Sequence, residues 1–241
     1  MDNQRVALVT GSSRGIGREI ALRLAEMPEV SAVGVHYRQN LEAAREVVEG
    51  ITAKGKGSAA FQADLLVEDQ AAGLVGRAQK EFGRVDILVN DFGPFITKDW
   101  QDLTGDDWEG ILRGTLLSAF HCLKASLPGM RERKWGRIIN IGYSRAEQLA
   151  SFPGILPYAV AKTGLLTVTR TVAVSEVAAG ITVNMVSPGL MKGGAMPKSK
   201  TISEKAVGEY KDVAEAVLFL VSDRAASVTG TNIIVAGTWK M

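Results

Sequence analysis

Short apolar runs rich in β-branched residues recur along the 241-residue chain, and longer segments with helical spacing separate them. The runs predict seven strands, over residues 6–10, 32–36, 59–63, 85–90, 137–141, 181–187 and 232–235. Apolar strands that alternate with helices are typical of a parallel sheet covered on both faces. The pattern therefore predicts an α/β fold, a doubly wound parallel sheet in three layers, formed by residues 1–241 as a single domain.

Amphipathic segments predict the helices between these strands. They cover residues 16–24, 41–53, 68–82, 106–127 and 158–179. Thr104 with Asp107 predicts a capping box before the fourth helix, and Pro128 is expected to end it. Residues 192–200 predict a polar loop at the carboxyl edge of the sheet, where open α/β sheets bind ligands.

A glycine-rich turn joins the first strand to the first helix. Residues 10–17 read Thr-Gly-Ser-Ser-Arg-Gly-Ile-Gly. Glycines in such a turn let the backbone approach a pyrophosphate, and the helix N-terminus attracts the anion. The turn therefore predicts a dinucleotide site. Its predicted contacts are Gly11, Ser13, Arg14, Gly15, Ile16 and Gly17.

The end of the second strand indicates which dinucleotide binds. An acid there usually binds the ribose 2′-hydroxyl of NAD, whereas an arginine accommodates the 2′-phosphate of NADP. The chain has Arg38 and no acid at this point, and Arg14 lies inside the glycine turn. The predicted cofactor is therefore NADP(H).

Residues after the third and fourth strands are expected to complete the crevice. Asp64 is placed to accept a hydrogen bond from the adenine amino group, with Leu65 nearby. Asn90 and Gly93 would border the adenosine ribose. Because the carboxyl ends of parallel strands meet at one edge, these positions predict a single binding site.

Tyr158 and Lys162 lie one helical turn apart on the last predicted helix. A phenol has a pKa of about 10 and is a poor acid–base catalyst at neutral pH. A lysine ammonium on the same face favours the phenolate and is expected to lower that pKa. Together with the dinucleotide site, the pair predicts an enzyme that transfers a hydride and a proton.

Composition excludes several other classes. The 28 Lys and Arg residues nearly balance the 26 Asp and Glu residues, and no basic stripe predicts nucleic-acid binding. The single cysteine, Cys122, cannot form an internal disulfide, and the N-terminus carries no signal-like segment, which favours a cytoplasmic protein. No apolar stretch is long enough to predict a membrane span, and no metal site is predicted.

The chain resembles the short-chain dehydrogenase/reductase family, and most closely its 3-oxoacyl-acyl-carrier-protein reductase branch. The matching motifs are the turn at 10–17, His-Tyr-Arg at 36–38, Ala-Asp at 63–64, residues 90–93 and 136–141, Tyr-x-x-x-Lys at 158–162 and Ser-Pro-Gly at 187–189. The resemblance implies a Rossmann-type fold whose substrate pocket is built from the loops after strands 4 to 6. It also implies a homodimer or homotetramer that pairs through the two long helices.

The resemblance implies roles for the motif residues. Tyr158 would donate a proton to a carbonyl oxygen, and Lys162 would lower the Tyr158 pKa and bind the nicotinamide ribose. The backbone around Pro188, Gly189 and Met191 would hold the nicotinamide ring. A serine after the fifth strand would hydrogen-bond the carbonyl oxygen and orient it.

The chain departs from the family pattern at several positions. The family's Asn-Asn-Ala-Gly reads Asn-Asp-Phe-Gly at 90–93, where Phe92 is expected to narrow the cofactor groove or form part of the pocket wall. Tyr143 stands where the family has its serine, and Ser144 follows. Adjacent residues on a strand face opposite sides, so at most one of the two faces Tyr158 unless the chain turns at Gly142. Ser144 is the predicted catalytic residue, and the Tyr143 hydroxyl is the alternative. Thr115 stands where the family has an asparagine. In the family that asparagine holds a water that links the lysine to bulk solvent for proton resupply.

Two hypotheses about function result. The first is an NADPH-dependent carbonyl reductase acting on a small-molecule carbonyl substrate, with a 3-oxoacyl thioester as the substrate suggested by the family branch. The alternative is a catalytically impaired NADP-binding sensor, or a structural subunit of a mixed oligomer. The replaced asparagine and displaced serine favour the alternative, whereas the presence of both Tyr158 and Lys162 favours the enzyme.

Overall fold

The computed structural model describes residues 4–194, 202, 206–237 and 239. The main strands are β1 Arg5–Thr10, β2 Val30–Tyr37, β3 Gly57–Gln62, β4 Ile87–Asn90, β5 Gly136–Ile141, β6 Ile181–Pro188 and, later in the chain, β9 Asn232–Val235. They form one parallel sheet in the order β3-β2-β1-β4-β5-β6-β9. A small second sheet pairs β7 Leu190–Met191 with β8 Val207–Gly208.

Seven α-helices are present in the described part of the chain. They are α1 Gly15–Leu24, α2 Leu41–Thr52, α3 Glu68–Phe82, α4 Gly105–Ile111, α5 Ser118–Arg133, α6 Leu156–Glu176 and α7 Tyr210–Val221. Short 3-10 turns at Trp100–Asp102, Val177–Ala179 and Asp223–Ala225 accompany them. The predicted capping box at Thr104 and Asp107 is confirmed at the start of α4.

Two apolar cores hold the helices against the sheet. On one face α1, α2 and α7 contribute Ile20, Val47 and Val217, all fully buried. On the other face α3 and α5 contribute Leu74 and Leu123. The predicted doubly wound α/β fold in three layers is confirmed. Within the described residues, no helix is long and apolar enough to cross a membrane.

The predicted helix over 106–127 is both interrupted and longer than expected. After α4 the chain forms a π-helical segment, Leu112–Leu117, and then α5, which continues to Arg133. The expectation that Pro128 ends this helix is wrong, since Pro128 lies inside α5. Leu127 and Met130 are buried in the core on either side of it, and this packing outweighs the backbone hydrogen bond that proline removes.

Helix α7 was missed by the sequence prediction, although Val213, Val217 and Leu220 carry the helical spacing that indicates it. Its packing against the same core as α1 covers one face of the sheet near β5 and β6. Most of the predicted polar loop at 192–200 lies outside the described residues, which include only its first three positions.

Candidate active site

The carboxyl ends of three neighbouring strands form the floor of the candidate site. Thr10 of β1 lies beside Asn90 of β4, and Asn90 lies beside Asn140 of β5. The Thr10 hydroxyl accepts the backbone N–H groups of Asp91 and Phe92, both at 3.1 Å. The first residues after β4 are therefore held against the end of β1, beside the glycine turn.

The glycine turn provides the space and the polarity that an anionic ligand needs. Gly15 has φ +60°, and a Cβ at this position would meet no atom within 4 Å, so the backbone here is open. The N-cap residue of α1, Arg14, makes no side-chain hydrogen bond to the helix, and the first N–H groups of a helix point out of that end. The turn therefore fits the diphosphate of a dinucleotide.

A buried histidine ties the glycine turn to β2 and β3. The Gly11 N–H donates to His36 Nδ1 at 2.8 Å, and His36 Nε2 lies 3.1 Å from the Ala63 carbonyl oxygen, so Nε2 carries the proton. The Ser12 hydroxyl accepts the His36 N–H at 3.0 Å. Burial lowers the pKa of His36 to about 4, which keeps the ring neutral. From the sequence, His36 was noted only as part of the motif at 36–38, and this structural role was missed.

Arg38 and Asp64, which follow β2 and β3, form an ion pair. Arg38 Nη2 lies 3.0 Å from Asp64 Oδ2, and both side chains are partly exposed. Asp64 Oδ1 accepts the Leu66 N–H at 3.1 Å. Leu65, predicted to lie near the adenine, has its side chain buried in the core, so its backbone alone is available there.

Asn90 is turned into the protein rather than toward the crevice. Its Nδ2 donates to Asn140 Oδ1 at 2.9 Å, and Asn140 in turn donates to the Thr169 hydroxyl on α6 at 2.9 Å. This chain of amides links β4 and β5 to α6. A ribose contact from Asn90 would therefore come through its backbone.

Phe92 and Thr115 lie where the family pattern has an alanine and an asparagine. The Phe92 ring contacts His36 edge-on, with 5.8 Å between ring centroids, and packs against the core, so it supports the glycine turn from below. Thr115 lies in the π-helical segment beside Gly93 and is buried. Its hydroxyl has no hydrogen-bond partner among the described residues, so it does not bond back to a helix carbonyl.

Lys162 is a buried cation at the centre of the site. Its Nζ donates to the Ile141 carbonyl oxygen at 2.5 Å, at the end of β5. The same atom lies 5.7 Å from the centroid of the Tyr158 ring. Burial lowers the pKa of Lys162 to about 8, and the Asp91 carboxylate acts in the opposite direction. The side chain therefore remains an ammonium at neutral pH.

The expected lowering of the Tyr158 pKa is not found. Burial raises it, and the negative charges of Asp91 and of an ionised Tyr143 raise it further. The cost of burying a phenolate therefore sets the direction of the shift. Tyr158 is a neutral phenol in this structure, which is the form that donates a proton.

Asp91 is the residue that sequence reasoning missed. Its carboxylate accepts the Gly17 N–H, and a Cβ at Gly17 would lie 2.7 Å from Asp91 Oδ2. It also interacts electrostatically with Lys162. Burial raises the pKa of Asp91 to about 6. The signal was available, because an acid stands at 91 where the family has an asparagine.

The Tyr143 ring contacts the Tyr158 ring. The rings of Tyr143 and Tyr158 lie 5.7 Å apart at 66°, and Phe152 packs on the far side of Tyr143 at 6.2 Å. The Ser144 N–H donates to the Pro188 carbonyl oxygen at 3.0 Å. The Ser144 hydroxyl is buried and has no partner among the described residues. The loop after β4 adds Phe95, whose ring meets Tyr158 edge-on at 4.9 Å.

The segment after β6 closes the opposite side of the crevice. The Gly189 N–H donates to the Val235 carbonyl oxygen at 2.9 Å, and a Cβ at Gly189 would lie 2.7 Å from the Ala236 Cβ. Met191 is buried against the core of the α1 face. The backbone of 188–191 thus runs beside Ser144, with little freedom to move.

Comparisons with known proteins agree with this arrangement. A family model described as Enoyl-(Acyl carrier protein) reductase matches residues 11–238. The chain is 37% identical over 242 residues to 3-oxoacyl-acyl-carrier-protein reductase FabG of Staphylococcus epidermidis, covering 96% of this chain and 97% of the relative. It is 35% identical over 245 residues to the reductase of the same name from Haemophilus influenzae, covering 97% of each.

Solved structures of dehydrogenases are also similar to this chain. Acetoin dehydrogenase from Enterobacter cloacae superposes with a TM-score of 0.87 and 32% identity, over 97% of this chain and 94% of that one. Acetoin dehydrogenase YohF from Salmonella typhimurium superposes with a TM-score of 0.88 and 28% identity, over 98% and 96%.

Fold, site and comparisons define an oxidoreductase that acts on a CH–OH or C=O group. Of the two hypotheses drawn from the sequence, they support the enzyme. The chain belongs to the short-chain dehydrogenase/reductase family.

The neutral His36 makes stability depend on pH. Its pKa is about 4 when folded and 6.5 when unfolded, so the unfolded chain takes up a proton first as the pH falls. The stability that neutral His36 provides is complete above pH 6.5 and is lost between 6.5 and 4. We expect the native protein to lose about 2 kcal/mol more unfolding free energy than His36→Gln between pH 7.5 and 5.0.

Urea denaturation of both proteins at the two pH values measures this difference. Asp91 titrates in the same range with the opposite sign, because its folded pKa is raised. Subtracting the change in unfolding free energy of the variant from that of the native protein removes the Asp91 contribution. Identical pH dependence in the two proteins would show that His36 is not buried as a neutral ring.

Proposed function

We propose that this protein is an NADPH-dependent carbonyl reductase. The observation that carries the proposal is the position of Tyr158 and Lys162: they lie one turn apart on α6, and Lys162 is bonded to the end of β5 and coupled to Asp91, which contacts the glycine turn. A proton donor and a cation therefore lie at the sheet edge that is open to a dinucleotide.

The residues around the crevice fit NADP(H) as the cofactor. The N–H groups at the start of α1 would hold the diphosphate, and Arg14 and Arg38 would hold the 2′-phosphate. Asp64 and the backbone of residues 65, 90 and 93 would border the adenosine. When bound, NADPH supplies a hydride from its nicotinamide ring, which the backbone of Pro188, Gly189 and Met191 would orient.

The side chains of the protein then donate the proton and stabilise the developing charge. Tyr158, a neutral phenol, donates its proton to the carbonyl oxygen as negative charge develops there. The Lys162 ammonium stabilises the phenolate that remains and binds the nicotinamide ribose. The buried hydroxyls of Ser144 and Thr115, both without partners in the described structure, are available to a substrate oxygen and to an ordered water, respectively.

The relatives suggest acyl thioesters and small hydroxyketones as substrates. The curated relatives are named 3-oxoacyl-acyl-carrier-protein reductases, and two structural neighbours are acetoin dehydrogenases. We favour a 3-oxoacyl thioester, because the curated relatives cover nearly the whole chain.

A second candidate is reduction of the carbon–carbon double bond of an enoyl thioester. The family model carries that description, and Tyr143 places a second phenol beside Tyr158. Reduction of the ketone develops negative charge on the C3 oxygen, whereas hydride addition to the double bond develops it on the thioester carbonyl oxygen, so a phenol would have to reach a different oxygen in each reaction. Assaying both substrate types distinguishes them.

We also propose a homodimer or homotetramer and a cytoplasmic location. Exposed apolar residues on α6 and on the π-helical and α5 segments support the oligomer, because they lie on the two long helices through which the family resemblance implies that subunits pair. They are Leu117, Phe120, Val160 and Val174.

Tyr158→Phe tests the proton donor. The variant keeps the ring that packs against Phe95 but loses the hydroxyl. We expect kcat for NADPH-dependent reduction to fall by at least about 100-fold, with NADPH affinity unchanged. Absorbance at the nicotinamide band with 3-oxoacyl and enoyl thioesters, acetoin and small diketones measures turnover, and fluorescence titration measures binding. Undiminished turnover by the variant would refute the proposed role.

Arg38→Ala tests the cofactor preference. Removing the guanidinium takes away a charge-assisted contact with the 2′-phosphate, so we expect NADPH to bind about tenfold more weakly and NADH to be nearly unaffected. Arg45→Ala is the control, because Arg45 is an exposed arginine on α2 that pairs with Glu42. Equal weakening for both nucleotides would contradict the NADP assignment.

Paired variants decide which hydroxyl orients the substrate oxygen. The contact between Tyr143 and Tyr158 predicts that Tyr143→Phe lowers kcat by about 10-fold or more, whereas the Ser144 assignment made from the family pattern predicts that loss for Ser144→Ala. Steady-state kinetics on the substrate turned over best gives the comparison. Full activity in both variants would exclude both residues from this role.

A further inference from the structure

Asp91 stands at a position that the mechanism above leaves without a role. The strand register determines this position. Asn90 of β4 pairs with Asn140 of β5, so the next residues, Asp91 and Ile141, lie side by side at the carboxyl ends of these neighbouring strands. The Ile141 carbonyl is the group that accepts the hydrogen bond of Lys162. The carboxylate and the buried ammonium therefore share one end of the sheet.

Thr10 holds the backbone of Asp91, and Gly17 contacts its side chain. The Asp91 backbone N–H donates to the Thr10 hydroxyl at 3.1 Å, and its carboxylate accepts the Gly17 N–H. A methyl group at Gly17 would lie 2.7 Å from Asp91 Oδ2, so the carboxylate occupies space that only glycine leaves open. The carboxylate cannot rotate away without losing its contact with Gly17.

We propose that Asp91 is a positioning residue that keeps Lys162 charged while Lys162 supports Tyr158. The proposal rests on the proposed function, in which the Lys162 ammonium is needed during turnover. A buried ammonium bonded to one backbone carbonyl needs a compensating charge, and Asp91 is placed to provide it.

The groups that face Lys162 define what happens when Asp91 is neutralised. They are the Asp91 carboxylate after β4, the Tyr158 phenol on α6 and the Ile141 carbonyl on β5; Tyr143 faces Tyr158 in turn. The carboxylate opposes the effect of burial on Lys162. Without it, Lys162 releases its proton at a lower pH. Below about pH 6 Asp91 itself takes up a proton, so native and neutralised proteins become alike.

The test uses Asp91→Asn, which keeps the shape of the side chain and can still accept the Gly17 N–H. Protein labelled with 13C at lysine Cε is titrated by NMR without ligand, and the Lys162 signal is assigned from its loss in Lys162→Met. We expect the titration midpoint of Lys162 to fall by about one pH unit, a tenfold loss of proton affinity. Asp91→Ser, a smaller neutral substitution, should give a shift of the same sign.

Asp106→Asn is the matched control, because it removes one carboxylate from an exposed position on α4. Its Lys162 midpoint should equal that of the native protein. A midpoint that stays the same or rises in both Asp91 variants would overturn the proposal. This measurement needs neither cofactor nor substrate.

Activity gives the second measurement. With a substrate that the native protein turns over, kcat/KM of Asp91→Asn should match the native value near pH 5.5 and fall about tenfold below it near pH 8.5. An equal loss at every pH would indicate a purely structural role and overturn the proposal. If the native protein reduced none of the tested carbonyl compounds, the proposed function would fail while the NMR titration still decided the role of Asp91.

Discussion

A buried ammonium is the constraint on which the candidate site depends. Lys162 cannot be left alone in an apolar interior; its Nζ donates to the Ile141 carbonyl, and the negative charge of Asp91 favours its charged form. These contacts lie at the ends of β5 and β4. The position of α6, which carries both Lys162 and Tyr158, is thereby tied to the edge of the sheet where the dinucleotide site opens.

The cofactor side of the site depends on a second buried ionisable group, which is neutral where Lys162 is charged. His36 is kept neutral by burial and uses both ring nitrogens, one toward Gly11 and one toward Ala63. A charged histidine would lose the acceptor that Gly11 needs. The shape of the glycine turn therefore depends on a side chain from the next strand, and Phe92 supports that side chain from the end of β4.

The sequence predicted the fold well, because strand and helix periodicity is local information. Helix α3 and strand β9 have the predicted bounds, and the capping box at Thr104 is present. Pro128 was misjudged because core packing around α5 outweighs local propensity. The site was predicted in outline only. The pKa of Tyr158 depends on burial and on Asp91, and the choice between Tyr143 and Ser144 depends on a loop path, so neither is visible in motif spacing.

The close approach of Gly17 to Asp91 links two positions that are 74 residues apart in the chain (91 − 17). A Cβ at position 17 would lie 2.7 Å from Asp91 Oδ2, and it would also lie 2.8 Å from the Gly11 carbonyl oxygen and 3.0 Å from the Ser12 Cα. Glycine is therefore required at 17 whatever residue stands at 91, because the backbone of the turn itself leaves no room. The constraint between the two positions is one-sided: the acid at 91 can change alone, whereas no change at 91 admits a side chain at 17.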